Sequence, residues 1–137
     1  MTLQISFVKS QVFRSRSPNT AIIGTFDVSS LYTSIPQDEG IAACSSALFK
    51  SGHVSPPISD IVPLMQHVLT KNNFSFLGKN FLQVHGTAMG TRMSPSNACL
   101  FMSQLEQRML TWDPCRPWVW WRYIDDIFSS GLVMKQA

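Results

Sequence analysis

The sequence has few charged residues, few cysteines and no long apolar run. Charged residues make up 14% of the 137 residues, and Cys44, Cys99 and Cys115 form no Cys-x-x-Cys pair. The histidines form no His-x-x-His pair either, so we expect neither a zinc centre nor a disulfide framework, and an intracellular compartment is the simpler expectation. No stretch approaches the roughly 18 apolar residues that suggest a membrane span. Residues 1–9 lack the apolar core of a secretion signal.

What remains is the composition of one globular domain. Hydrophobic residues make up 45% of the chain, enough to bury a single core. The net charge of +3 suits a polyanionic partner, but the basic residues form no run. Charge alone therefore gives nucleic-acid binding only weak support.

Apolar periodicity and turn residues predict a mixed order of elements. In order, these are a strand over 21–28, helices over 38–50 and 59–70, a hairpin over 74–84 with its turn at Gly78–Asn80, a helix over 94–110 and a hairpin over 118–129. Because βαβ regularity is missing, we expect an α+β fold, an antiparallel sheet with helices packed on one face. Residues 1–20 are expected to be a partly ordered N-terminal segment.

Two groups of large side chains are assigned to the core. The helix over 94–110 places Phe101, Met102, Leu105 and Met109 on one face, as a buried helix requires. Trp118, Trp120 and Trp121 are predicted to pack in the sheet, and stacking on nucleic-acid bases is the alternative.

The most informative stretch is Tyr123-Ile124-Asp125-Asp126-Ile127-Phe128. Its β-branched and aromatic residues predict a strand, a tight turn carrying both aspartates, and a return strand. Adjacent carboxylates repel each other, and Asp-Asp is a poorer hairpin dipeptide than Asn-Gly. A divalent cation at the turn would offset both the repulsion and the poor turn preference. The alternative is an acidic turn that is simply solvated.

A further carboxylate, Asp27, lies at the end of the predicted strand over 21–28, where a charge is unfavourable unless it is paired. If this strand lies beside the acidic hairpin, Asp27, Asp125 and Asp126 converge. Mg²⁺ is usually held by one or two carboxylates and substrate phosphates. Two such ions roughly 3.5–4 Å apart clamp an in-line phosphoryl transfer. We therefore predict a site for two Mg²⁺ ions, with Mn²⁺ as a substitute; for Asp27 alone, a strand-end cap is the alternative.

Three segments resemble motifs A, B and C of reverse transcriptases, in that order. They are Phe26–Pro36, Gly86–Pro95 and Arg122–Phe128. Asp-Val-Ser-Ser-Leu-Tyr-Thr-Ser-Ile-Pro followed by Gly-Thr-Ala-Met-Gly-Thr resembles the Penelope-like retroelements in particular, which are relatives of telomerase reverse transcriptase. The similarity runs from about residue 17 to residue 131. It implies a polymerase palm core over 21–131, followed by a truncated tail over 132–137.

The resemblance also implies a role for each residue near the metal ions and the nucleotide. Asp27 and Asp125 would bridge the two ions, Asp126 would support them, and the backbone carbonyl of Val28 would reach one ion. Tyr32 occupies the position of the ring that excludes a ribose 2′-hydroxyl.

Motif B supplies the remaining implied contacts. Gly90 would let the backbone approach the nucleotide, because glycine has no Cβ, and Arg92 would touch a phosphate. Met89, where many reverse transcriptases carry Gln, would face the template and primer together with Ser94, Pro95 and Tyr123. Ser94 is predicted as a helix N-cap and Pro95 as the first helical residue of the helix behind this loop.

The activity implied by the resemblance is RNA-directed DNA polymerisation. A primer 3′-hydroxyl would attack the α-phosphate of a dNTP on an RNA template, most simply in the nucleus. Motifs of the fingers, the thumb and an attached endonuclease are not found in the sequence, so we expect this catalytic-core fragment to be inactive alone. A non-catalytic nucleic-acid-binding module and a decayed retroelement product are the alternatives.

Overall fold

A computed structural model describes residues 11–14, 21–112 and 117–132. In chain order, the elements are β1 (Gln11–Arg14), β2 (Ala21–Asp27), α1 (Leu31–Ser34), α2 (Gln37–Lys50), α3 (Ile58–Thr70), β3 (Asn73–Phe76), β4 (Lys79–Leu82), α4 (Ser94–Trp112), β5 (Val119–Tyr123) and β6 (Asp126–Leu132). Helices combined with antiparallel strands confirm the predicted α+β class.

The chain divides into two compact units. The first consists of Met1–Leu31 and Glu106–Ala137, and the second of Tyr32–Leu105. The first unit holds a four-stranded sheet in the order β1-β2-β6-β5, with every neighbouring pair antiparallel. The second holds α2, α3 and the two-stranded β3–β4 sheet.

The four-stranded sheet has two unlike faces, because successive side chains of a strand point to opposite sides. On one face Ile127 is 2% exposed, and the rings of Phe26 and Trp120 stack with their centroids 6.3 Å apart. On the other face Trp121 stacks on Phe128 at 5.6 Å, yet it remains 69% exposed. The first face therefore carries the packing, and the second is open.

The second unit contains a buried polar cluster. Asn97 is fully buried, and its Nδ2 donates a hydrogen bond to the Thr87 hydroxyl at 2.9 Å. The buried Cys44 thiol donates to Asn97 Oδ1 at 3.4 Å. One amide thus links α2, α4 and the segment before α4, and its buried polar atoms have the partners that burial demands.

All the predicted strands, helices and hairpins are present, but two further elements were not expected. β1 lies inside the segment over 1–20, whose composition gave no strand pattern, and α1 follows the motif A aspartate directly. β1 exists through its pairing with β2. Such non-local pairing has no signature in a four-residue segment.

The turn of the β3–β4 hairpin is a second correction. It consists of Leu77 and Gly78, both with positive φ, rather than the predicted Gly78–Asn80. Two positive φ angles match the twist of the flanking strands in a two-residue loop. Because leucine seldom adopts a positive φ, the sequence pattern predicted a turn that begins one residue too late.

Three apolar side chains assigned to the core are exposed. Met109 is 44% exposed, Trp118 63% and Trp121 69%. Phe101 and Met102 are buried as predicted. Helical periodicity identified the apolar stripe of α4, but periodicity does not say how far along the helix that stripe is covered.

Burial raises the pKa of the Cys44 thiol above its ordinary value of 9.0. The folded protein then keeps the thiol proton at a pH where the unfolded chain loses it, so the stabilisation is full below the unfolded pKa and is lost as pH rises towards the folded pKa. We expect the unfolding free energy of the wild type, relative to Cys44→Ala, to be constant well below pH 9.0 and to decline as the pH rises past that value in urea titrations. A difference that does not change with pH would contradict this expectation.

Candidate active site

β2 and β6 pair over their full length, and this pairing brings the aspartates together. Residues 21–27 lie opposite 126–132 in reverse order, with Asp27 directly across from Asp126. The Val28 N–H donates to the Asp125 carbonyl at 3.1 Å, which extends the pairing by one residue. The strand that ends at Asp27 therefore lies beside the acidic hairpin, the arrangement on which the sequence prediction depends.

The hairpin turn falls one residue earlier in the chain than predicted. Tyr123 pairs with Asp126, so the turn consists of Ile124 and Asp125, whereas Asp126 already belongs to β6. The prediction that the turn carries both aspartates was wrong by one residue. Ile124 has φ +53, a conformation that is disfavoured for a β-branched side chain. Backbone strain therefore lies immediately before Asp125.

Three side chains form a row at the end of the open face. Directly opposed residues of antiparallel strands share a face, so the register places Asp27, Asp126 and Tyr123 side by side. Tyr123 is 77% exposed. Asp125 lies in the turn, outside this row. Within the described residues, no three His, Cys, Asp or Glu side chains are grouped closely enough to hold a metal ion.

The opposed carboxylates suit a divalent cation. Like charges directly across a sheet are destabilising, and no basic side chain among the described residues forms an ion pair with Asp27, Asp125 or Asp126. Mg²⁺ prefers carboxylate oxygens and commonly uses one or two of them together with substrate phosphates. The pair of Asp27 and Asp126 meets that requirement, and Asp125 lies next to it in the chain. The division of roles between Asp125 and Asp126, and the role of the Val28 carbonyl, stay predictions.

An ion pair joins the hairpin to α4. Arg122 Nε lies 2.7 Å from Glu106 Oε1, and the side chains are 11% and 13% exposed. Trp120 Nε1 donates to the same carboxylate oxygen at 2.9 Å. Arg122 Nη1 donates to the Ile124 carbonyl at 3.0 Å. Sequence analysis missed this contact, because nothing in the sequence of β5 identifies a partner 16 residues earlier.

The segment that resembles motif B lies in the second unit, and Gly86 fixes its start. Gly86 has φ +73, and a Cβ at this position would lie 2.7 Å from Thr33 Cα. The Thr87 N–H donates to the Tyr32 carbonyl at 2.6 Å. Gly86 therefore meets two demands, left-handed backbone and close contact with α1, that no other residue satisfies without strain.

The residues predicted to touch the nucleotide have different surroundings. Gly90 has φ +96, but nothing lies within 4 Å of a Cβ built there. Met89 is 71% exposed, Arg92 is exposed and Tyr32 is half-buried. Gly86, and not Gly90, packs closely against protein backbone, and the approach of the Gly90 backbone to a nucleotide stays a prediction.

The start of α4 corrects one local prediction. Ser94 is buried, and its hydroxyl donates to the Ala88 carbonyl and contacts the Thr91 hydroxyl. The Asn97 N–H donates to the Met93 carbonyl at 2.8 Å, so the cap residue is Met93 rather than Ser94. The Ser94 hydroxyl closes the preceding loop.

Pro95 is the second residue of α4 rather than the predicted first, and it is exposed. Proline fits there because the first turn leaves backbone N–H groups without helical partners in any case. Its predicted contact with template or primer stays a prediction.

A comparison with models of known protein families finds no match, and a search of curated proteins finds no significantly similar sequence. In the described part of the chain, no helix has both the length and the apolar character needed to span a bilayer.

Gly86→Ala is expected to lower the unfolding free energy by about 2–4 kcal/mol, the sum of a left-handed alanine and a contact with fixed backbone. Urea titration measures this loss. Gly52→Ala is the matched control, because Gly52 has φ +67 but open space around it. If both variants lose equal stability, close packing of Gly86 against Thr33 is refuted.

Asp126→Asn is expected to raise the unfolding free energy by about 0.2–1 kcal/mol in chelator, because it removes the repulsion across from Asp27. Added Mg²⁺ should stabilise the wild type more than the variant, because a ligand stabilises the state that binds it. Thermal unfolding with and without Mg²⁺ measures both effects. Asp60→Asn, an exposed carboxylate in the first turn of α3, should show neither. If Asp126→Asn is more stable than the wild type by the same amount with and without Mg²⁺, the result argues against the cation site.

Proposed function

We propose that this chain is the palm core of an RNA-directed DNA polymerase of the Penelope-like type. The observation that carries the proposal is the register of β2 against β6, which sets Asp27 across from Asp126 and bonds Val28 to Asp125. The motif resemblance and the strand pairing are separate arguments, because the resemblance comes from residue identity and the pairing from backbone geometry. The resemblance names three aspartates, and the pairing supports the proposal because it sets two of them, Asp27 and Asp126, directly opposite each other.

In the proposed reaction, a primer 3′-hydroxyl attacks the α-phosphate of a dNTP, and the bond to pyrophosphate breaks. Bound Mg²⁺ ions would activate the hydroxyl and neutralise charge on the leaving group. Asp27 and Asp125 would hold the ions, with Asp126 as the supporting acid. Strand pairing holds the backbone that carries these carboxylates, which favours the positioning on which phosphoryl transfer depends.

Discrimination against ribonucleotides is assigned to Tyr32. A flat ring beneath the sugar leaves no room for a 2′-hydroxyl. The backbone around Tyr32 is held in place, because its carbonyl accepts a hydrogen bond from Thr87 and the next residue, Thr33, packs against Gly86. A ring on fixed backbone suits steric selection.

A second candidate function is nucleic-acid binding without catalysis. The open face of the sheet presents Trp121 and Tyr123, 69% and 77% exposed. Exposed aromatic rings on a sheet are a common platform for stacked bases and need no metal ion. This function would retain the open face and make no use of the carboxylates.

A chimera tests the two candidates. Residues 21–131 would replace the corresponding palm segment of an active Penelope-like polymerase, and primer extension on an RNA template would be measured. We expect dNTP incorporation in Mg²⁺, and a loss of at least about 1,000-fold in Asp27→Asn or Asp125→Asn because the metal site is removed. The isolated chain is expected not to extend a primer.

Asp60→Asn is the control, since this exposed carboxylate lies outside the candidate site. Extension that survives both Asp27→Asn and Asp125→Asn would end the catalytic proposal. Retained primer–template binding without extension in every version of a folded chimera would favour the binding module.

A further inference from the structure

The Arg122 side chain on β5 supports the strained turn. Arg122 uses two different nitrogens, Nε toward Glu106 and Nη1 toward the Ile124 carbonyl, at 2.7 and 3.0 Å. A guanidinium presents its donors in a rigid fork. One end of the fork is therefore fixed on α4, and the other holds the backbone of the turn.

The anchor on α4 is itself well fixed. Glu106 Oε1 accepts hydrogen bonds from both Arg122 and Trp120. The Arg122 and Glu106 side chains are 11% and 13% exposed, so water competes little for these bonds. A charge-assisted hydrogen bond with little competition from water holds its geometry better than a surface ion pair.

The turn conformation calls for such support. Ile124 has φ +53, which a β-branched residue adopts only where its surroundings impose it. The neighbouring Asp125 carbonyl receives the Val28 N–H at 3.1 Å. A shift of the Ile124 peptide would therefore move the backbone of both Asp125 and Asp126.

We propose that Arg122, anchored by Glu106, is a positioning residue that holds the turn of Ile124 and Asp125 in the conformation that binds divalent cations. The part of this inference that concerns cation binding rests on the proposed function. Its structural part concerns the metal-free turn, and it can be tested separately. Outer contacts that orient metal ligands typically contribute about 10- to 100-fold to metal affinity.

The test uses the whole chain with Arg122→Met and Glu106→Gln combined. Removing Arg122 alone would leave a buried carboxylate without its partner, which can unfold a protein. The double variant removes that charge, keeps an unbranched apolar side chain that reaches the position of Arg122 Nε, and leaves an acceptor for Trp120. What it removes is the donor to the Ile124 carbonyl.

Two measurements report the result. Mn²⁺ affinity, followed by water-proton relaxation, is expected to fall about 10- to 100-fold. Hydrogen exchange of the Val28 amide in metal-free protein is expected to accelerate, whereas the Thr25 amide, in the middle of β2, keeps its rate. Trp120→Phe is the matched control, because it removes a hydrogen bond to Glu106 but none to the turn. It should change both quantities much less than the double variant does.

The inference is overturned if the double variant binds Mn²⁺ as tightly as the wild type and Val28 exchanges at the wild-type rate. It is also overturned if Trp120→Phe weakens Mn²⁺ binding equally, since the ion pair would then serve general packing. If the wild type itself binds no Mn²⁺, the proposed function fails, and Val28 exchange alone decides whether Arg122 holds the turn.

Discussion

The candidate site depends on the antiparallel pairing of β2 with β6. This ladder runs from Ala21 opposite Leu132 to Asp27 opposite Asp126, so its last step places two like charges side by side. The repulsion is small beside the apolar burial on the same strands, where Ile127 is almost fully covered and Phe26 stacks on Trp120. The packed face therefore stabilises a pairing that the open face, taken alone, would oppose.

Strain and support occur together at the hairpin. The left-handed Ile124 lies between a strand whose Arg122 is fixed by α4 and a strand that is fixed by β2. Unfavourable backbone conformations persist where the surrounding structure determines them, and such positions are concentrated at functional sites. In this chain the strained residue directly precedes Asp125, so the feature that costs stability also sets the direction of the carboxylate-bearing backbone.

The second unit uses a different means of fixing its loop. Close backbone contact between Gly86 and Thr33, together with the buried amide of Asn97, holds the start of the motif B-like segment. By contrast, Met89 and Gly90 further along are open to solvent. A segment that is rigid at its start and exposed further along can present residues to a ligand without losing its attachment, as binding loops on stable scaffolds commonly do.

The sequence by itself determined the α+β class and the approximate bounds of the predicted strands and helices, and it named three candidate aspartates, because these depend on local periodicity and on residue type. Tertiary structure decided which aspartate lies opposite Asp27, where the hairpin turn falls, and that Glu106 anchors Arg122. Each of these depends on strand register or on contact between residues distant in sequence. A shift of one residue in register would reverse which side chains share a face without changing any local preference.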